Sequence, residues 1–325
     1  MREVVLITGA RGFIGGNLAR RLHGSGVRVH ALLRAPAEGA WDAAATCRLG
    51  EEPVPVRVME GVATVFHLAG VAHTWGRARE MTALYRTVNI EGTAALVRAA
   101  ERAGVRRFVY FSSVKAMADP GEDCVDESST GGPADPYGCS KQEAEEIVLE
   151  AGTRAGMHVC VLRPSLVYGA GVKGNLLRMI ARIDRGWFPP PPAVDNRRSM
   201  VHVEDLVDAA LLAAGEARAS GRTYIVSDAM PVSTRQVYQW MCEALGRPVS
   251  RWAVPVPVLR AAAAVGEAAG RLIGRPMPFN RTVVDRLLGS ACYRSDRIRQ
   301  ELGWRSAHTF RVALPEMVAA YRGQG

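Results

Sequence analysis

The sequence predicts an α/β protein, a doubly wound parallel sheet joined to a smaller C-terminal substrate-binding domain. Two observations carry that prediction. From the N-terminus to about residue 113, short β-rich apolar runs alternate with helical patterns, the order that builds parallel strands joined by crossover helices. The first run passes directly into the glycine turn Gly9-Ala10-Arg11-Gly12-Phe13-Ile14-Gly15, and that turn opens a helical pattern.

Val4 to Thr8 reads as the first strand and Asn17 to Leu22 as part of the helix after it. Gly9 permits a tight turn, Gly12 lets the backbone approach a pyrophosphate at the helix N-terminus, and Gly15 lets helix and strand pack closely. The second strand, Val27 to Leu33, ends in Arg34, where NAD sites usually carry an acid for the ribose hydroxyls. Arg34 is therefore a candidate for a ribose 2′-phosphate, which favours NADP over NAD. Residues 35–60, rich in Ala, Pro and Glu, assign no element.

Val62 to Gly70 reads as a buried strand running into a small-residue turn against which a cofactor can lie. His67 within it is expected to be a packed, hydrogen-bonded structural residue. Helical periodicity spans Met81 to Ala103, with Asn89 at its middle, and closes at Gly104. The next strand, Arg107 to Phe111, ends in Ser112-Ser113 at the sheet edge where ligands bind in such folds.

Asp135 suits a helix N-cap and Pro136 the first helical position, where a missing N–H costs nothing. Tyr137 and Lys141 then share one face, a turn apart. An ammonium beside a phenol favours the phenolate, which would bring a group that titrates near ~10 toward neutral pH. Isolated Tyr-x-x-x-Lys spacings mostly mark ordinary solvated helix starts, so the rest of the chain has to give this one weight.

With 325 residues, 48% hydrophobic and 22% charged, the chain can bury a large core as one domain or two. Met1 to Ile7 lacks the organisation of a signal peptide. The apolar region from Val254 to Ile273 holds Arg260, Glu267 and Arg271 and so fails as a membrane span, although surface contact with a membrane stays open. Six scattered cysteines without C-x-x-C or metal-type His spacing fit reduced thiols in a cytoplasm and no metal. The net charge is +9, yet Lys115, Lys141 and Lys173 are the only lysines among 41 basic residues, and no dense basic run with interleaved aromatics points to nucleic acid.

The ordered set Thr8-Gly-x-x-Gly-Phe-Ile-Gly15, His67-Leu68-Ala69-Gly70, Asn89, Ser112-Ser113, Tyr137-x-x-x-Lys141, Arg163-Pro164 and Val167-Tyr168-Gly169 resembles the extended short-chain dehydrogenase/reductases. The resemblance spans nearly the whole chain and implies a Rossmann-type fold binding NADP or NAD. It implies that Tyr137 is the catalytic acid/base, that Lys141 holds the nicotinamide ribose and lowers the phenol pKa, and that Ser113 hydrogen-bonds the reacting oxygen. Gly9, Gly12, Phe13, Ile14, Gly15, Arg34, Leu68, Ala69, Gly70 and Asn89 would line the cofactor with Tyr137 and Lys141.

Residues 171–177 and 194–205 look like the substrate loops of the nucleotide-sugar branch. By that resemblance Lys173, Asn175 and Leu176 lie near the nucleotide, beside Ser113, while Arg198 and Arg286 clamp its diphosphate, a role suited to forked, permanently charged donors. Val254 to Arg275 would be an amphipathic insertion beside the substrate. The expected division is 1–170 for the dinucleotide domain, with about 200–230 returning to it, and 171–199 plus 231–325 for the substrate domain. A homodimer is a family expectation.

Dehydratases of this type need acids directly after the catalytic Ser/Thr, where this chain has Val114 and Lys115, which argues against dehydration. Reduction of a UDP-4-keto sugar is slightly favoured over UDP-sugar 4-epimerisation, because Leu166 stands where galactose epimerases usually have a substrate-contacting Asn. A reductase of apolar steroid-like or flavonoid-like ketones is the alternative from another class.

Overall fold

A computed structural model describes residues 3–72, 78–273, 277 and 279–323. The chain begins with β1 (Val4–Thr8), α1 (Phe13–Gly24), β2 (Arg28–Leu33), β3 (Ala43–Thr46), α2 (Val56–Met59) and β4 (Val62–His67). Next come α3 (Ala78–Tyr85), a π-helical stretch (Arg86–Glu91), α4 (Gly92–Arg102), β5 (Arg107–Phe111), a short 3-10 turn (Val114–Ala116), β6 (Cys124–Val125) and α5 (Pro136–Ala155). The middle of the chain gives β7 (His158–Pro164), β8 (Leu166–Tyr168), α6 (Asn175–Asp184), β9 (Met200–His202), α7 (Val203–Gly215) and β10 (Arg222–Val226). It closes with α8 (Thr234–Leu245), α9 (Val256–Ile273), α10 (Arg281–Leu288), β11 (Cys292–Tyr293), α11 (Asp296–Leu302) and α12 (Phe310–Arg322).

Seven of these strands form one sheet in the order β10-β7-β5-β4-β1-β2-β3, and every pairing is parallel. Its strands are apolar along their length because both faces are covered. On one face Leu18 and Leu22 of α1, Leu206 and Ala210 of α7 and Ile298 of α11 pack on Val5, Ile7 and Val29. On the other, Val58, Leu96 and Val148 pack on Leu6, Val65 and Phe108. A separate apolar cluster joins α6, α8 and α12 through Ile180, Met241 and Leu314. The strand order reverses between β1 and β4, and the carboxyl ends of strands at such a switch point form a ligand crevice.

Two departures from the sequence reading have local causes. Residues 35–60, to which no element was assigned, contain the edge strand β3 and the short helix α2. The helix expected from Met81 to Ala103 is interrupted by π-helical turns around Asn89, a distortion often found at functional sites. Arg275, at the end of the expected insertion, lies outside the described residues.

Candidate active site

The glycine turn is held by backbone contacts that only glycine permits. Gly9 has φ +71°, and a Cβ there would sit 2.8 Å from Ala69 N. At Gly15 a Cβ would come within 2.3 Å of Gly9 O. Gly12 is the N-cap of α1 and makes no side-chain cap hydrogen bond, so the first N–H groups of the helix face the turn without a side-chain partner at that position. Phe13 and Ile14 are half-buried against the two cores, and Phe13 also lines the cavity at the turn. A cavity of about 360 Å³ opens there, lined among others by Arg11, Gly12, Asn17, Trp41 and Lys173. Uncapped helix amides facing a cavity lined by Arg11, Arg20 and Lys173, with Glu38 the one acid, fit a dinucleotide diphosphate. Arg11 was missed at the sequence level; the missed signal is a cation inside the glycine turn itself.

Thr8 and His67 shape the second wall. Thr8 Oγ1 lies 2.7 Å from His67 Nδ1 and accepts the amides of Leu68 and Ala69, while His67 Nε2 meets Thr93 Oγ1 at 2.9 Å. Burial drives the imidazole pKa down to about 3, helped by the charge of Lys141, so His67 is a neutral structural residue, in line with the sequence reading. Asn89 is 1% exposed. Its Oδ1 accepts Val71 N–H, and its Nδ2 donates to Val71 O and Ser140 Oγ, so it ties the Gly70 turn to α5.

The structure brings Ser113, Tyr137 and Lys141 together. Asp135 caps α5 by accepting Gly138 N–H at 2.8 Å, and Pro136 opens the first turn, as the sequence predicts. Ser113, just after β5, accepts Lys115 N–H at 3.2 Å and hydrogen-bonds the Tyr137 oxygen. Gly138 lets α5 approach that strand end, since a Cβ there would lie 2.1 Å from Lys115 O. Lys141 is buried; its Nζ donates to Phe111 O at 2.8 Å, lies 4.3 Å from the Tyr110 ring centroid, and would be 3.9 Å from a Cβ at Gly70.

Burial dominates the electrostatics of both groups. Desolvation pushes the Tyr137 phenol up to about 12, with the Ser113 hydrogen bond acting in the opposite direction. Burial likewise pulls the Lys141 ammonium down to about 7, against the nearby Glu145 carboxylate, which raises it. Lys141 Nζ is directed at a backbone carbonyl and an aromatic face.

Below this pair lies a buried group that the sequence reading did not find. Glu145, one turn after Lys141, is 3% exposed and takes the Arg163 guanidinium in a forked pair, Nη2 to Oε2 at 2.5 Å and Nε to Oε1 at 2.9 Å. Ser112 Oγ donates to the same carboxylate. An acid at the i+4 position from Lys141 and a lone arginine at the end of an otherwise apolar strand were the available signals.

The expected substrate residues divide. Lys173 lines the cavity at the glycine turn. Asn175 is exposed at the first position of α6, whereas the Leu176 side chain is buried among Ile180, Met241 and Phe310 and is not presented to a ligand. Arg198 and Arg286 come close enough for Arg286 to contribute, after burial, to lowering the Arg198 pKa. Arg198 Nη1 donates to Arg286 O at 2.7 Å and Gly289 O at 3.1 Å, so part of its fork is already engaged. Neither guanidinium has an ion pair among the described residues. Arg34 is exposed just after β2 and is not among the residues that line the cavity.

The expectation of six reduced thiols is corrected as well. Cys124 and Cys292, 168 residues apart, form a disulfide across the β6 and β11 pair, with Cα atoms 4.5 Å apart. Cys47, Cys139, Cys160 and Cys242 are free. Sequence spacing could not show a bond closed by the fold. Alkylation of the denatured, unreduced protein should label four thiols, and six after reduction; six in both states would contradict the bond. Among the described residues no group of His, Cys, Asp and Glu could hold a metal, and no helix is long and apolar enough to cross a membrane.

Residues 5–227 match the model of the NAD dependent epimerase/dehydratase family. The chain is 29% identical to a UDP-glucose 4-epimerase of Vibrio cholerae, covering 99% of this chain and 96% of the relative. It is 28% identical to a 3 beta-hydroxysteroid dehydrogenase/Delta 5-->4-isomerase of Mycobacterium tuberculosis, covering 98% and 90%. The solved structure of MoeE5 in complex with UDP-glucose and NAD superposes with a TM-score of 0.75 at 25% identity, covering 98% and 99% of the two chains. A parallel sheet with a glycine turn at its switch point, a serine, tyrosine and lysine gathered at the same edge, and a family match over most of the chain lead to one conclusion: the protein belongs to the NAD dependent epimerase/dehydratase family and is an NAD-dependent enzyme.

Proposed function

We propose that the protein transfers hydride at C4 of a nucleoside diphosphate sugar, acting as a UDP-4-keto-sugar reductase. The observation that carries the substrate class is the contact of Arg198 Nη1 with Arg286 O at 2.7 Å, with no acid paired to either arginine among the described residues. Two permanent cations brought together without a protein counter-ion suit a diphosphate. Leu166, 42% exposed on β8, leaves the sugar side without the amide that the epimerases of this type present, which favours reduction over epimerisation. UDP-sugar 4-epimerisation is the closest alternative, supported by the likeness to the Vibrio cholerae enzyme.

The nicotinamide dinucleotide, when bound, supplies the hydride. Tyr137 delivers the proton to the C4 oxygen, Ser113 hydrogen-bonds the Tyr137 oxygen at rest and turns its hydroxyl to the reacting oxygen, and Lys141 holds the end of β5 through Phe111 O. Arg34, with no acid at the end of β2, favours NADP as the dinucleotide.

Incubation with UDP-GlcNAc, and separately with a UDP-4-keto sugar and NADPH, separates the two sugar reactions. NADPH consumption only with the keto sugar supports the reductase; turnover of UDP-GlcNAc without added reductant supports the epimerase. The steroid-like alternative is favoured by the exposed Leu166 and by the Mycobacterium tuberculosis relative. Arg286→Met removes an exposed cation without disturbing the core. Together with Arg198→Met it tests the nucleotide directly. Losing one charge-assisted hydrogen bond costs about 1.5–3 kcal/mol, so each variant should weaken UDP binding by roughly tenfold or more in calorimetry. Unchanged UDP affinity in both variants would favour the apolar ketone.

A further inference from the structure

We propose that the face formed by α9 and the loops at its N-terminal end docks on an anionic membrane surface. Helix α9 is apolar on two sides. One side, with Leu259 and Ala263 buried, packs on Val284 of α10, and Gly266 meets Phe279 O closely enough that a Cβ would lie 2.1 Å away. The other side carries Val258, Ala262, Val265, Ala269 and Ile273 at helical spacing, and Val258, Val265 and Ile273 are 54%, 69% and 64% exposed. A helix that has already buried one apolar stripe in its own core has no folding reason to carry a second.

Two tryptophans extend that stripe. Trp187 is 81% exposed and Trp252 is 64% exposed. Their loops are fastened to each other: Val254 N donates to Pro190 O at 3.1 Å, Arg235 bridges Pro191 O and Ser250 O at 2.8 Å each, and Arg247 donates to Asp184 O. Both indoles therefore stand on the same end of the molecule, at the start of α9. Amphipathic rings of this kind prefer the headgroup level of a bilayer.

The charge around the patch selects the kind of surface. Arg182, Arg185, Arg247, Arg251, Arg260 and Arg271 are exposed in the two segments, against Asp184 and Glu267. Asp184 is paired with Arg247, and Glu267 with Arg271 and Arg281. Arg182, Arg185, Arg251 and Arg260 have no acidic partner among the described residues. Apolar side chains, interfacial tryptophans and unpaired cations together match an anionic leaflet better than an acidic protein, which would leave the valine stripe in water. The contact is peripheral, since α9 carries charges on its third side and does not qualify as a span.

The test is sedimentation of the full-length protein with large unilamellar vesicles of phosphatidylcholine alone and of phosphatidylcholine mixed with phosphatidylglycerol, followed also by tryptophan emission. The proposal expects binding to the mixed vesicles only, a blue shift of emission, and loss of both in Trp187→Ser/Trp252→Ser and in Val258→Asp/Val265→Asp. Arg251→Gln should weaken partition by roughly fivefold. The substituted side chains are exposed or half-buried, and an unchanged unfolding temperature shows that the variants fold. No vesicle binding, or equal binding to neutral vesicles, overturns the proposal. If the aspartate variants instead convert a dimer to a monomer in sedimentation velocity while the parent ignores vesicles, the face joins two copies of the chain and the proposal is wrong.

Discussion

Tyr137→Phe is expected to lower kcat by about 10²- to 10⁴-fold, the range for removing a positioned proton donor, while leaving dinucleotide affinity near the parent value. The phenol hydroxyl is the group that would meet the reacting oxygen, and the ring alone suffices for its packing 5.8 Å from Tyr85, so the substitution removes chemistry and keeps shape. The same step shapes the pH profile. Desolvation holds the phenol up at about 12, so Tyr137 stays protonated through the neutral range and can act as the acid of a reduction. For the reduction direction, activity that persists on the alkaline side of neutrality and falls only as the phenol ionises is the expected sign. Stopped-flow NADPH oxidation with each protein checks both points. A Tyr137→Phe enzyme with unchanged turnover would remove Tyr137 from the mechanism.

Arg163→Met carries the largest expected effect on stability. It strips the forked partner from Glu145, whose side chain is 4% exposed, and leaves a carboxylate facing Ser112 and the Lys141 side of the helix. Breaking a buried ion pair by removing one member costs about 3–5 kcal/mol. Urea unfolding should show that loss, and Glu145→Gln/Arg163→Met should recover most of it, because the uncompensated charge is gone. If the single variant is as stable as the parent, the pair is not buried as described.

What was legible in the sequence is what local chemistry determines. Gly12 and Gly15 are constrained by their close approach to Gly9 O within the same turn, and Asp135-Pro136 specifies a helix start that places Tyr137 and Lys141 on one face. What escaped depends on distance in space. The strand β3, Ala-Ala-Ala-Thr, has no β-branched run and is a strand because β2 offers it an edge. The π-helical turns at Asn89 leave the helical period almost unchanged, so periodicity cannot reveal them. Spacing places Lys141 beside the phenol, yet Phe111 O, thirty positions earlier in the chain, accepts its hydrogen bond. Lys173 sits in a substrate-type motif and still lines the cavity at the glycine turn, because the loop after β8 folds over that turn.

The central claim is hydride delivery to C4 of a nucleotide sugar, and isotope transfer tests it most directly. The enzyme is incubated with a UDP-4-keto sugar and NADPH carrying deuterium at the transferable position of the nicotinamide, and the product is read by mass spectrometry and proton NMR. One deuterium at C4 of the product sugar is the predicted result. A product without deuterium at C4, or NADPH left unconsumed, would contradict it.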